Sequence, residues 1–251
     1  MNTDNQAVTA DLHLPPVAIL CGGRGTRLER RTTPTPKALV QIGGHPILWH
    51  VIKLYAEQGF REFVLLTGYL GGAIEAFVEE CRWPGGITVS CLQTGLDTPT
   101  GGRVNRALQA GALGSGDFCL TYADGLADLD LRVQVKEHRA SALSATMTVV
   151  RPRLQFGIAE VDDQGLVRGF VEKPRSERWV NGGFFCLSPQ AATGLDDDSV
   201  WEREPLTQLA TAGQLRAHRH EGFWACMDTY KDALLLNDLW DTGSAPWKTW
   251  E

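Results

Sequence analysis

Basic charge is scarce relative to acidic charge in this sequence: 24 Lys and Arg stand against 30 Asp and Glu, a net charge of −6. Nucleic-acid proteins usually carry a basic face, so that class of partner is not expected, and any polyanionic ligand must be held by a local cluster of cations. Long apolar runs are missing as well. No segment approaches the uncharged apolar length that a membrane span needs, and Met1 to Pro16 lacks a basic segment followed by an apolar run. Neither a membrane nor a secretory signal is therefore expected. The cysteines Cys21, Cys81, Cys91, Cys119, Cys186 and Cys226 are scattered singly, with no Cys-x-x-Cys pair and no zinc spacing. Four of them lie in apolar runs and read as small core residues in a reducing, cytoplasmic compartment. Internal repeats, low-complexity runs and dividing linkers are absent. The 251 residues, 43% of them apolar, suffice for one large core. The expected organisation is an N-terminal extension over residues 1–16 and a single domain over residues 17–251.

Periodicity predicts a first strand at Val17 to Cys21, ending in glycines, and a proline-punctuated extended loop through Thr35-Pro36-Lys37. Pro46 opens a helix to about Gln58, because proline suits a first helical turn. Further strands are expected at Phe63 to Leu66, Ile87 to Leu92 and Phe118 to Tyr122, with helices at Gly71 to Glu80 and near Arg103 to Ala110. Strands alternating with helices imply a parallel sheet covered on both faces. The second half offers strands at Ala145 to Val150, Ile158 to Val161, Val167 to Val171 and Gly183 to Leu187 with few helices between them, an antiparallel or mixed extension at one sheet edge. A short helix at Pro205 to Ala212 and a last helix starting near Thr229, where Thr229-x-x-Asp232 resembles a capping box, complete the chain. His218 and His220 alternate on a strand as a surface pair. Trp240, Trp247 and Trp250 anchor the C-terminal tail on a neighbouring subunit or on the body of the fold.

Gly22-Gly23-Arg24-Gly25-Thr26-Arg27-Leu28 follows the first strand. Glycines let backbone N–H groups turn toward an anion, and two arginines add charge. On the glycines alone, a tight strand-to-helix turn with surface arginines is the favoured reading of the same residues. A dinucleotide fingerprint is excluded, because Leu28 stands where a third glycine belongs and Ile42-Gly43-Gly44-His45 offers no acid. A P-loop is excluded because Gly-Lys never occurs.

Leu20 through Leu28, then Pro36-Lys37 and Ile42-Gly43-Gly44-His45-Pro46-Ile47-Leu48, resembles the opening of the sugar-phosphate nucleotidylyltransferases. The glucose-1-phosphate cytidylyltransferase branch is the most similar. It shares Thr100-Gly101-Gly102-Arg103, Thr121 to Asp130, Glu172-Lys173-Pro174, Asn181-Gly182-Gly183-Phe184-Phe185, Gly222-Phe223-Trp224, Met227-Asp228-Thr229 and the tail from Ala245 to Glu251. The ordered set spans nearly the whole chain and outweighs the plain-turn reading of the glycine loop.

The resemblance implies a Rossmann-like, mostly parallel mixed α/β sheet of the nucleotide-diphospho-sugar transferase type, with a smaller antiparallel extension. It implies cytidylyl transfer from CTP to a sugar 1-phosphate, glucose 1-phosphate first, giving CDP-sugar and pyrophosphate with Mg²⁺ as cofactor. The same transfer to a different phosphate or phosphonate acceptor, or a non-catalytic nucleotide-binding regulatory protein, are the alternatives. By resemblance Asp124 and Asp228 hold the metal, and Arg27 and Lys37 join them as catalytic groups. Leu20, Cys21, Gly22, Gly23, Arg24, Gly25, Thr26, Thr98, Thr100, Gly101, Gly102, Arg103 and Tyr122 would bind the nucleotide, with the stretch from Thr94 to Arg103 as a mobile loop entering a helix. Gly157, Glu172, Lys173, Asn181 and Gly182 would bind the sugar phosphate. A homo-oligomer, such as a hexamer, is implied too. The nucleophile, a phosphate monoester with its second pKa near 6, is already largely ionised, so no general base is needed. The chain departs from the family at Thr35, Ala123 and Gln155, where lysine, glycine and arginine are usual.

Overall fold

The computed structural model describes residues 13–23 and 35–250. The expected extension up to residue 12 lies outside them, as do Arg24, Gly25, Thr26 and Arg27. The first strand, β1 (Val17–Leu20), is buried at every position and sends Val17 and Ile19 to one face, Ala18 and Leu20 to the other. A strand apolar on both faces belongs in the middle of a covered parallel sheet. After a short hairpin of β2 (Gln41–Ile42) and β3 (His45–Pro46) come α1 (Ile47–Ala56), β4 (Glu62–Thr67), α2 (Gly71–Glu80), β5 (Thr88–Gln93), α3 (Thr100–Gln109) and β6 (Phe118–Tyr122). Pro46 precedes α1 as its cap rather than opening its first turn. Then follow β7 (Gly125–Ala127), α4 (Leu131–Ser141), β8 (Ala145–Val150), β9 (Ile158–Val161), β10 (Val167–Val171), β11 (Val180–Leu187), α5 (Glu204–Thr211), β12 (Leu215–His220), β13 (Trp224–Cys226) and α6 (Tyr230–Asp241).

Seven strands make the central sheet in the order β12-β8-β11-β6-β1-β4-β5. The pairings β1–β4, β1–β6, β4–β5 and β8–β12 are parallel, and β11 runs against both of its neighbours. Helices α1, α4 and α6 pack into one apolar cluster with α2, and α3 and α5 cover the opposite face. The expected mixed sheet is present, but β8 and β11 lie inside it rather than in an extension. Their almost wholly buried patterns explain why. Among the described residues, β9–β10 and the short β7–β13 and β2–β3 pairs form separate antiparallel units. The β9–β10 arm exposes Ile158, Val161, Val167, Phe170 and Val171.

Helix α4 has no counterpart in the sequence reading. Asp130 caps it by accepting from the Val133 N–H, but its buried stripe is Leu131, Gln134, Val135 and His138. Two polar residues interrupt the apolar period that marks a helix. Both find partners inside: the Gln134 amide nitrogen donates to Thr148 Oγ1 at 2.9 Å and to the Phe184 carbonyl at 3.0 Å, and His138 Nδ1 lies 3.0 Å from Thr146 Oγ1. His218 and His220 are not a surface pair either. They are largely covered and turn to Glu137 and Asp128, each at 3.0 Å.

The tryptophan-rich tail docks on its own body. Trp247 is fully buried, stacks near Phe223 and Trp240, and donates from Nε1 to His50 Nδ1 at 3.3 Å. An indole nitrogen only donates, so Nδ1 accepts and Nε2 carries the proton, donating to the Ile42 carbonyl at 2.8 Å. Burial pushes the His50 pKa down from 6.5 to about 4, against a weaker upward pull from that carbonyl. Between these two values the unfolded chain binds more protons than the folded one. Stability is therefore complete above about pH 6.5 and is lost as pH falls toward 4, by about 2–3 kcal/mol at pH 4.5. Thermal melts from pH 7.5 to 4.5 should show this slope in the wild type and a shallower one in His50→Gln; equal slopes would remove His50 as its source.

Candidate active site

The carboxyl ends of parallel strands are where α/β sheets bind ligands, and here β1, β6, β4 and β5 end on one edge. A cavity of about 290 Å³ opens there. Its walls include Leu20, Cys21, Gly22 and Gly23 after β1, Lys37, Thr98, Thr100 and Arg103, and Tyr122 to Asp124 after β6.

Asp124 and Asp228 are 104 positions apart in the chain, and a small sheet joins them. Strand β13 pairs with β7 so that Cys226 lies opposite Gly125, and the Met227 N–H donates to the Asp124 carbonyl at 2.9 Å. Asp124, one residue before β7, and Asp228, two after β13, therefore leave the same end of the pair. Asp228 also precedes α6, where it could have served as the cap. That duty falls to Thr229 and Asp232, whose capping box is complete. Asp232 Oδ2 even accepts the N–H groups of Asp228 and Thr229, at 3.1 and 2.7 Å.

Lys37 closes the cluster. Its Nζ donates to Asp124 Oδ2 at 2.5 Å and to Asp228 Oδ1 at 2.6 Å. Burial alone would lower the pKa of this ammonium, but the charge and hydrogen bond of Asp124 and the bond to Asp228 together hold it above the usual lysine value. Pro36, in extended backbone, delivers Lys37 into a short helical turn with Ala38 buried behind it. Cys226 is the third group at this point, and one ligand atom from each of Asp124, Cys226 and Asp228 lies within 4.8 Å of the others. Burial, and then the negative charge of Asp124, push the Cys226 thiol far above its usual pKa. Sulfur is a soft donor, so the groups here that suit a hard ion such as magnesium are the two carboxylates, completed by phosphate oxygens and water.

Arg103 lines the cavity but turns inward. Its guanidinium donates to the carbonyls of Gly22 (3.0 Å), Thr67 (2.8 Å), Gly95 (3.0 Å) and Leu96 (3.4 Å) and to Thr94 Oγ1 (2.6 Å). It staples the loops after β1, β4 and β5 to one another. Thr94 is fully buried, and Thr100 to Arg103 form the first turn of α3, so the supposed mobile loop shrinks to residues 95–99. Gly101 and Gly102 owe their lack of a side chain to packing. A Cβ at Gly101 would come within 2.7 Å of the Ser199 carbonyl, and the Gly102 N–H donates to that carbonyl at 3.0 Å.

Asn181 reaches the site through Tyr122, its Nδ2 donating to the phenolic oxygen at 3.4 Å, and the Gly182 carbonyl accepts from Trp224 Nε1 at 2.8 Å. Gly157, Glu172 and Lys173 are absent from the cavity wall. They sit at the base of the β9–β10 arm, where Lys173 adopts a left-handed φ of +46° and pairs with Glu172 at 3.3 Å.

A family model described as Nucleotidyl transferase matches residues 17–238. The chain belongs to that family. A probable glucose-1-phosphate cytidylyltransferase of Bacillus subtilis is 40% identical over 92% of this nucleotidyl transferase and 98% of its own length. The glucose-1-phosphate cytidylyltransferase of Salmonella typhi is also 40% identical, over 93% of this chain and 98% of its own. Among solved structures, HddC from Yersinia pseudotuberculosis in complex with GMP-PN superposes with a TM-score of 0.72 at 21% identity, covering 90% of this chain and 100% of that one. That likeness shows the shared fold. No helix among the described residues of the transferase is long and apolar enough to cross a membrane.

One residue at the site escaped the sequence reading. Glu202 accepts from Tyr122 Oη and Thr100 Oγ1, both at 2.6 Å. The available signal was Trp201 beside it, a large aromatic in an otherwise polar stretch, and it is fully buried.

Proposed function

We propose that this nucleotidyl transferase moves a cytidylyl group from CTP to glucose 1-phosphate, forming CDP-glucose and pyrophosphate. The observation that carries the reading is the meeting of Asp124, Asp228 and Lys37, two of which line the same cavity as Gly22 and Gly23. The relatives named as glucose-1-phosphate cytidylyltransferases, similar over almost their full length, supply the choice of base and sugar.

The chemical difficulty is bringing two anions together, since the attacking phosphate oxygen needs no deprotonation. The two carboxylates already enclose a cation, the Lys37 ammonium, which supports their fitness to hold a divalent ion. Bound there, Mg²⁺ would offset the charge of the triphosphate and of the leaving pyrophosphate. Lys37 would bind the phosphates from the same side. Gly22 and Gly23 leave room for close backbone approach, and Arg103 keeps their loop in place. Asn181 and Gly182 would face the sugar, with Glu172 and Lys173 approaching from the arm. Self-association belongs to the same reading, and the exposed apolar side chains of the arm offer a surface for it.

Pyrophosphate release from CTP, UTP, GTP and dTTP, each with a panel of sugar 1-phosphates and a phosphonate, tests the proposal. CTP with glucose 1-phosphate should give the highest kcat/KM. Higher turnover with a non-hexose acceptor would overturn the sugar assignment, and no release with any pair would leave a binding protein.

A further inference from the structure

The segment between β11 and α5 is pinned against the nucleotide end of the site at several points. Asp197 accepts from Arg106 Nε and Nη2, at 3.0 and 2.7 Å, and the Ser199 carbonyl accepts the Gly102 N–H. Trp201 is fully buried, edge-on to Phe185 with ring centres 5.8 Å apart. Its backbone N–H donates to Thr100 Oγ1 at 3.0 Å. These contacts leave Glu202 between α3 and the end of β6, with one carboxylate oxygen on Thr100 and the other on Tyr122.

A carboxylate beside a pocket for polyanions is electrostatically unfavourable, so this one needs another use. Hydrogen-bond accounting supplies it. An ionised carboxylate only accepts, so both hydroxyl protons must point at Glu202. The hydroxyl oxygens of Thr100 and Tyr122 then keep only lone pairs for anything else. Thr100 already accepts from Trp201 and Tyr122 from Asn181, which confirms the polarity. A wall of oriented acceptors repels phosphate oxygens and suits a ligand group that donates.

We propose that Glu202 is a positioning residue that fixes the Thr100 and Tyr122 hydroxyls as acceptors, making this wall of the cavity a reader of ligand hydroxyl groups. The inference rests on the transferase reading above, in which the hydroxyls come from the ribose of the nucleotide or from the hexose.

Equilibrium binding by calorimetry separates these sources without requiring turnover. CTP is compared with 2′-deoxy-CTP and 3′-deoxy-CTP, and glucose 1-phosphate with its 2-, 3-, 4- and 6-deoxy analogues, on wild type, Glu202→Gln and Tyr122→Phe. The carboxamide of Glu202→Gln keeps the shape but donates to one hydroxyl, turning that acceptor around. Wild type should prefer one hydroxylated ligand by about tenfold, the worth of a well-made hydrogen bond. Both variants should bring that ratio close to one, with the double variant no lower than either single one. The series that responds, nucleotide or sugar, names the source. A uniform weakening of all ligands with unchanged ratios would show Glu202 to be structural only and overturn the inference. Failure of wild type to bind CTP at all would overturn the functional reading first.

Discussion

Asp124→Ala should lower kcat by about a thousandfold or more while the melting temperature stays within a few degrees of wild type. A thousandfold loss corresponds to about 4 kcal/mol of transition-state stabilisation, within what a metal ligand in phosphoryl transfer contributes. The fold should tolerate the change because Asp124 sits in a turn at the cavity and packs little of the core. The backbone bond from Met227 to its carbonyl, which holds β7 and β13 together, does not involve the side chain. Lys37 would keep Asp228 as a partner. Circular dichroism and thermal melts establish the fold, and pyrophosphate release establishes the rate. A variant with near-wild-type turnover would show that the carboxylate pair is not the metal site.

Arg103→Met should act on both stability and binding, for a different reason. The guanidinium is almost completely buried, and its partners are the carbonyls of Gly22, Thr67, Gly95 and Leu96 and the Thr94 hydroxyl. Burial pulls its pKa down, but an arginine stays charged in proteins. Methionine fills much of the volume and donates nothing, so every charge-assisted bond of the guanidinium is lost, although the Gly22 and Thr67 carbonyls keep the N–H groups of Tyr69 and Thr94. The expected cost is about 3–5 kcal/mol, with the melting temperature lower by about 10 °C. Because the Gly22 loop is no longer tied to the loop after β5, the KM for nucleotide should rise more than kcat falls. Arg103→Lys should recover little, since one ammonium cannot span acceptors set for a planar fork. An unchanged melting temperature would show that these bonds add nothing to the fold.

The two residue types illustrate how far local pattern can be read. The strands β1, β4 and β6 were legible because a strand buried on both faces must be mostly apolar. The Thr229–Asp232 box was legible because capping is a contact three residues long. Helix α4 was not, since its inward face carries Gln134 and His138, which only the carbonyl and hydroxyls of neighbouring strands make acceptable. Arg103 and the pair Gly101-Gly102 looked like ligand contacts on sequence. The structure gives both a packing reason first, in the carbonyls that surround them.

Composition and order of residues alone settled the alternating α/β character and offered the acidic and basic groups from which a site could be built. That Asp124 and Asp228 meet was expected only through the family resemblance, and nothing in the sequence said that Lys37 stands between them or that Glu202 faces Tyr122 and Thr100. Those relations depend on the register of β13 on β7 and on the buried seat of Trp201. Register and burial are set by contacts between segments a hundred residues apart, and such contacts leave no periodic trace along the chain.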